Sequence, residues 1–265
     1  MIRKPAVAGS FYPLDKGMLN RQIDECLDSV IIKDYGDPLG FVCPHAGYIY
    51  SGYTAAHSFK YLKDREYEKV VVLAPSHYDG YSGITTWNGN GIETPLGIVE
   101  TDDSDKLEKY GIQKSNLGFG KEHSLEVELP FLQKVLKPGW KLVPLVMGFQ
   151  DTENIRLGKN ILESYMDKKN LIIISSDLSH YHPYEKAKVI DGHFLNFIEL
   201  DRIPDLQDAH DNGLVEACGF GPIMSFLKLD IQPRIQILDY RNSGDTAGDR
   251  SKVVGYTSIG AFWND

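Results

Sequence analysis

Lys69-Val70-Val71-Val72-Leu73-Ala74-Pro75-Ser76-His77 carries five consecutive apolar residues, then a proline, a serine and a histidine. A short apolar run closed off by turn residues fits a strand covered on both faces. The same order returns twice. Phe41-Val42-Cys43 leads into Pro44-His45-Ala46-Gly47-Tyr48, and Leu171-Ile172-Ile173-Ile174-Ser175 leads into Ser176-Asp177-Leu178-Ser179-His180-Tyr181-His182. Strands are expected at 40–43, 69–74, 141–147, 170–175, 234–239 and 252–262. Pro144 counts against the third, because proline cannot donate to a ladder.

Helical spacing fills the intervals. In 18–30, Leu19, Ile23, Cys26, Leu27 and Val30 share one face. Further helices are expected at 51–63, 124–136, 152–167, 183–200 and 219–229. Pro183 suits a helix start, whereas Pro130 implies a kink or an earlier end. Ser124 is expected to cap its helix, with Glu126 and Glu128 placed in the first turns by the helix dipole. Strands alternating with helices give an α/β fold, a central, largely parallel or mixed sheet flanked by helices. The last two strands follow one another without a helix, which suits an antiparallel pair. With no repeat, low-complexity tract or linker, 1–265 is read as a single domain.

The 42 % hydrophobic and 25 % charged residues are those of a globular chain long enough to bury a full core. With 28 Lys plus Arg against 37 Asp plus Glu, the net charge of −9 argues against nucleic acid, whose phosphates need clustered cations. Three cysteines, Cys26, Cys43 and Cys218, are too scattered for a disulfide framework or a CxxC knuckle. No run approaches a membrane span and the first residues do not read as a signal peptide, so a reduced, cytoplasmic protein without a membrane partner is expected.

Ligands of open α/β sheets bind beyond the carboxyl ends of the strands. Three strands each deliver a histidine there, from 8 in the chain: His45, His77 and His180. Imidazole binds iron, copper, zinc and nickel, and it titrates nearest neutrality. A convergent polar site is therefore expected. His182 is read equally well as a loop residue, and His57, His193 and His210, on or near helices, as packed or solvated residues. Cys218 precedes a helix, where the dipole would lower its pKa and make it a soft metal ligand. The competing reading is a small buried residue, which is the reading for Cys26 and Cys43. Glu122-His123 lies before the Ser124 cap and points either into the site or to solvent. Asp245 and Asp249 sit in a polar loop whose spacing does not fit an EF-hand. Walker A, GxGxxG and GxSxG patterns are absent.

Together these pieces resemble the Memo (mediator of cell motility) family. The resemblance runs from Ala8-Gly9-Ser10-Phe11-Tyr12-Pro13 to Val253-Val254-Gly255-Tyr256-Thr257-Ser258. It is carried by Pro44-His45-Ala46-Gly47-Tyr48-Ile49-Tyr50-Ser51-Gly52, Pro75-Ser76-His77, Glu122-His123-Ser124-Leu125-Glu126, Ser176-Asp177-Leu178-Ser179-His180-Tyr181 and Cys218-Gly219. The resemblance implies a fold like that of class III extradiol dioxygenases, which hold Fe(II) between two histidines and a glutamate. Carried over, His45 and His77 match the histidine ligands, His180 the acid/base and Asp177 its companion. Cys218 stands where the carboxylate ligand would be. Phe11 and Tyr50 match pocket aromatics.

Thiolate in place of carboxylate softens the site, which favours copper or zinc more than the dioxygenase site does, while iron remains compatible. The expected function is metal-dependent redox chemistry with Fe(II) or copper on a small molecule, His180 moving a proton while Asp177 orients it. The alternative is a non-catalytic module for an anionic ligand or phosphopeptide-like segment, a role associated with eukaryotic relatives. A zinc hydrolase comes third.

Overall fold

The structure is a computed structural model that describes residues 1–102 and 105–264. Its strands in chain order are β1 (Ile2–Arg3), β2 (Pro38–Cys43), β3 (Lys69–Pro75), β4 (Ile84–Trp87), β5 (Gly91–Thr94), β6 (Gly97–Glu100), β7 (Gln113–Ser115), β8 (Lys141–Met147), β9 (Asn170–Ser175), β10 (His180–His182), β11 (Arg234–Asn242) and β12 (Val253–Phe262). The helices are α1 (Lys16–Asp28), α2 (Tyr48–Phe59), α3 (Leu129–Val135), α4 (Thr152–Ser164), α5 (Tyr184–Glu199), α6 (Ile203–Asp211), α7 (Phe220–Leu227) and the single turn α8 (Ser243–Thr246).

The large sheet runs β10-β12-β2-β9-β3-β8-β4-β7, with β11 also paired to β12. Its centre, β2-β9-β3-β8, is parallel, while β12 joins β2 and β4 joins β8 antiparallel, so the sheet is mixed. β11 and β12 form the expected antiparallel pair. Strands β1, β5 and β6 make a small separate sheet. Pro144 is tolerated because the β4 ladder reaches only Leu145, leaving proline beyond its end.

Period-two alternation builds two cores from one sheet. Phe41, Val70, Val72, Leu171 and Ile173 face α1, α2 and α3, where Ile23, Phe59 and Phe131 meet them. Their neighbours Val42, Val71, Leu73, Ile172 and Ile174 face α4 to α7, packing with Ile161, Phe194 and Phe226. Each fully buried aliphatic or aromatic side chain contributes about 1.5–3 kcal/mol. Because the four central strands are parallel, their carboxyl ends share one edge. The register Cys43↔Ser175 brings the loops after β2 and β9 level there.

Three expectations are corrected. Ser124 does not cap a helix: its hydroxyl donates to the Pro75 carbonyl at 2.7 Å, tying this segment to the end of β3. The chain then makes a 3-10 turn at Glu126–Glu128, and α3 begins only at Leu129 with Pro130 in its first turn. Glu126 and Glu128 are accordingly buried, not first-turn surface charges. Helix α6 and the short strands β4 to β7 add to the expected elements. Among the described residues no helix is long and apolar enough to cross a membrane.

Candidate metal and acid–base site

His45 follows β2 directly and is 2 % exposed. Its backbone N–H donates to Asp177 Oδ1 at 2.9 Å, which locks the loop after β2 to the loop after β9. Its ring Nδ1 meets the Ser175 hydroxyl at 2.7 Å, and Nε2 lies 3.3 Å from Cys218 Sγ. His77 follows β3, with Nδ1 2.9 Å from Glu122 Oε1. Both Nδ1 atoms thus have partners behind the ring. One ligand atom from each of His45, His77 and Cys218 lies within 4.8 Å of the others.

Cys218 is drawn in by the glycine after it. Gly219 N–H donates to Ser176 Oγ at 2.9 Å, and a Cβ there would stand 2.5 Å from the Ser175 carbonyl oxygen. Only glycine allows that approach. The Asp177 N–H donates to the Cys218 sulfur at 3.2 Å, a contact suited to thiolate. Without metal, however, burial and then the nearby Asp177 carboxylate push the thiol up, not down as its place before a helix suggested. Desolvation outweighs the dipole of α7.

His180 lies in the same cleft. Its Nδ1 is 2.8 Å from the Leu178 carbonyl, which can only accept, so Nδ1 carries the hydrogen and Nε2 is left with a lone pair. Burial holds its pKa below the usual histidine range, so the ring is neutral at pH 7. The orienting group is therefore the Leu178 carbonyl, not Asp177. The Asp177 carboxyl serves the His45 loop instead, and burial pushes it up to about 7.

Glu122 and His123 resolve inward. Glu122 is buried and accepts from His77 Nδ1, the His77 backbone and the N–H groups of His123 and Ser124. Burial works to raise its pKa, yet these bonds outweigh it and hold the carboxyl at about 2. The His123 ring stacks on His77 with centroids 4.9 Å apart and touches Phe11 at 4.7 Å. Phe11 arrives there because Glu126 grips the chain on both sides of it: Arg3 Nη1, the N–H groups of Ala6 and Val7, and the Tyr12 hydroxyl all donate to its carboxylate.

The cleft over these groups measures about 800 Å³, within the usual range for small-molecule sites. Phe11, Tyr50, His123, Asp177 and His180 all line it, as do Tyr78, Tyr181 and Tyr256, which sequence reasoning passed over. Tyr181 holds φ at +60°, a left-handed conformation a tyrosine rarely takes, and stands 70 % exposed at the rim. Asp249 and Lys252 reach the mouth, whereas Asp245 accepts from Tyr184 and caps α8. The remaining histidines stay outside: His182 pairs with Glu216 at 2.8 Å, His57 lies 3.6 Å from Asp239, His210 stacks on Phe220, and His193 is exposed on α5.

A family model described as Memo-like protein matches residues 3–260. A MEMO1 family protein of Methanosarcina acetivorans is 36 % identical, with 97 % of this chain and 98 % of the relative covered. Another of Aquifex aeolicus is 38 % identical over the same shares, and one of Saccharolobus solfataricus 35 %.

Proposed function

The chain belongs to the Memo family, and from that premise we propose that it is a cytoplasmic, metal-dependent redox protein holding iron or copper between His45, His77 and Cys218. The observation that carries this is the convergence of three donors from three separate loops, each histidine tied back through Nδ1. Two imidazoles and a sulfur that receives an N–H bond make a borderline-soft donor set. Iron or copper bound there would supply one-electron chemistry. All three cysteines are free, as a reducing compartment requires.

This chain's own residues do the rest. His180 presents Nε2 to the cleft as a proton acceptor, and Asp177, poised near neutrality, is available to share a proton. The aromatic walls of Phe11, Tyr50 and Tyr256 favour a small organic substrate and thin the water around it. Likeness to the extradiol dioxygenase scaffold belongs to this same reading; the exchange of carboxylate for Cys218 sets it apart from ring cleavage.

Anaerobic titration with Fe(II) and Cu(I), with elemental analysis, tests the reading. We expect tight one-to-one binding that is lost in a His45→Ala, His77→Ala, Cys218→Ser variant. Zinc alone in the protein as isolated would turn the reading toward hydrolysis. Equal absence of binding in both proteins would overturn it and favour a receptor for an anionic ligand, for which Lys252 at the mouth speaks.

A further inference from the structure

Ser175, the last residue of β9, is fully buried, and its hydroxyl has three polar partners. The Ser124 carbonyl lies at 2.6 Å, Glu128 Oε1 at 2.7 Å and His45 Nδ1 at 2.7 Å. A hydroxyl has one hydrogen to give and two lone pairs. The Ser124 carbonyl can only accept, so the one hydrogen belongs there. Both other partners must then donate, His45 through Nδ1–H and Glu128 through a protonated carboxyl. Any other assignment leaves the buried carbonyl facing a lone pair at 2.6 Å, and an unsatisfied buried acceptor is costly.

We propose that Ser175 is the positioning residue of this site: backed by Glu128, its hydroxyl holds His45 in the Nδ1–H tautomer, with the Nε2 lone pair aimed at Cys218 Sγ. Glu128 is 1 % exposed, with no cation against it among the described residues, and burial keeps its carboxyl well above the usual range, in agreement with its place as a donor. Neither Ser175 nor Glu128 is among the residues lining the cleft, so a substrate need not disturb the relay. It rests on the proposed metal site only for its purpose, because the tautomer exists with or without an ion.

The test uses metal-free, reduced protein with 15N-labelled histidine at pH 7, the His45 signals being assigned with His45→Gln. In the unaltered protein, His45 is expected to show a protonated Nδ1 and a bare Nε2. In Ser175→Ala, Nδ1 loses its acceptor while Nε2–H gains the Cys218 sulfur, so the Nε2–H form is expected to become the major one. Affinity for Fe(II) should fall about 10–100-fold with it. Infrared difference spectra of Glu128→Gln should show loss of a protonated-carboxyl stretch. An Nε2–H tautomer in the unaltered protein, an unchanged tautomer in Ser175→Ala, or loss of a carboxylate band in Glu128→Gln would each overturn the inference. If the tautomer switches as expected but neither protein binds Fe(II), the positioning role stands and the iron reading falls.

Discussion

Glu122 and Glu128 lie six positions apart, both buried, both behind a histidine of the site, and they are held in opposite charge states. Four donors converge on Glu122, two of them from His77, and it stays ionised down to about pH 2. Among the described residues Glu128 meets only the Ser175 hydroxyl, and burial keeps its carboxyl neutral well above the ordinary range. Burial alone does not decide whether a carboxyl is charged; the number of N–H groups aimed at it does. His77 is thus backed by a charge and His45 by a neutral relay.

The most severe way to break this pairing is to remove what both rings face. Gly219→Ala forces a Cβ against the Ser175 carbonyl and should displace Cys218, abolishing one-to-one metal binding and costing about 3 kcal/mol in urea unfolding. Glu122→Gln comes next, with a loss of about 1–3 kcal/mol at pH 7. The folded carboxyl sits below its ordinary 4.5, so its contribution is full above that value and is lost as pH falls toward 2. The gap between variant and unaltered protein should therefore shrink from pH 5 to pH 3.

Glu128→Gln should change stability by less than about 1 kcal/mol near pH 4, where a neutral amide replaces an acid that is largely neutral in the folded and the unfolded chain. Its slope should have the opposite sign. The folded carboxyl lies above 4.5, so its contribution is full below that value and declines as pH rises. Slopes of the same sign in the two variants would refute the comparison. Smallest is Tyr181→Asn at the rim, which should stabilise by about 0.5–1 kcal/mol by easing a left-handed backbone. Thermal unfolding would register it.

The parallel centre of the sheet was legible because strands covered on both faces must be continuously apolar, and 141–147 and 170–175 match β8 and β9 at both ends. The short strands β4 to β7, of three or four residues, leave no such run. His45, His77, His180 and Cys218 were legible through their place after strands or through family likeness. What was misread depends on contacts distant in sequence. Ser124 looks like a cap until the Pro75 carbonyl takes its hydroxyl, and Glu128 looks like a first-turn charge until Ser175 meets it 47 residues on. Cys218 looks activated until its burial is known. Ser175 itself gave no signal, since a serine closing an apolar strand is ordinary.

Glu126 has a consequence for the order in which the site comes into being. A chain grows from its N-terminus, so residues 3–12 are made long before the carboxylate that gathers them. Phe11 therefore has no fixed place until more than a hundred further residues exist. The donors also arrive unevenly, His45 and His77 early and Cys218 near the close. A chain made only as far as His77 holds two imidazoles but neither the sulfur nor the carboxylate that fixes Phe11. On the proposed metal reading, competence for metal is thereby tied to completion of the fold.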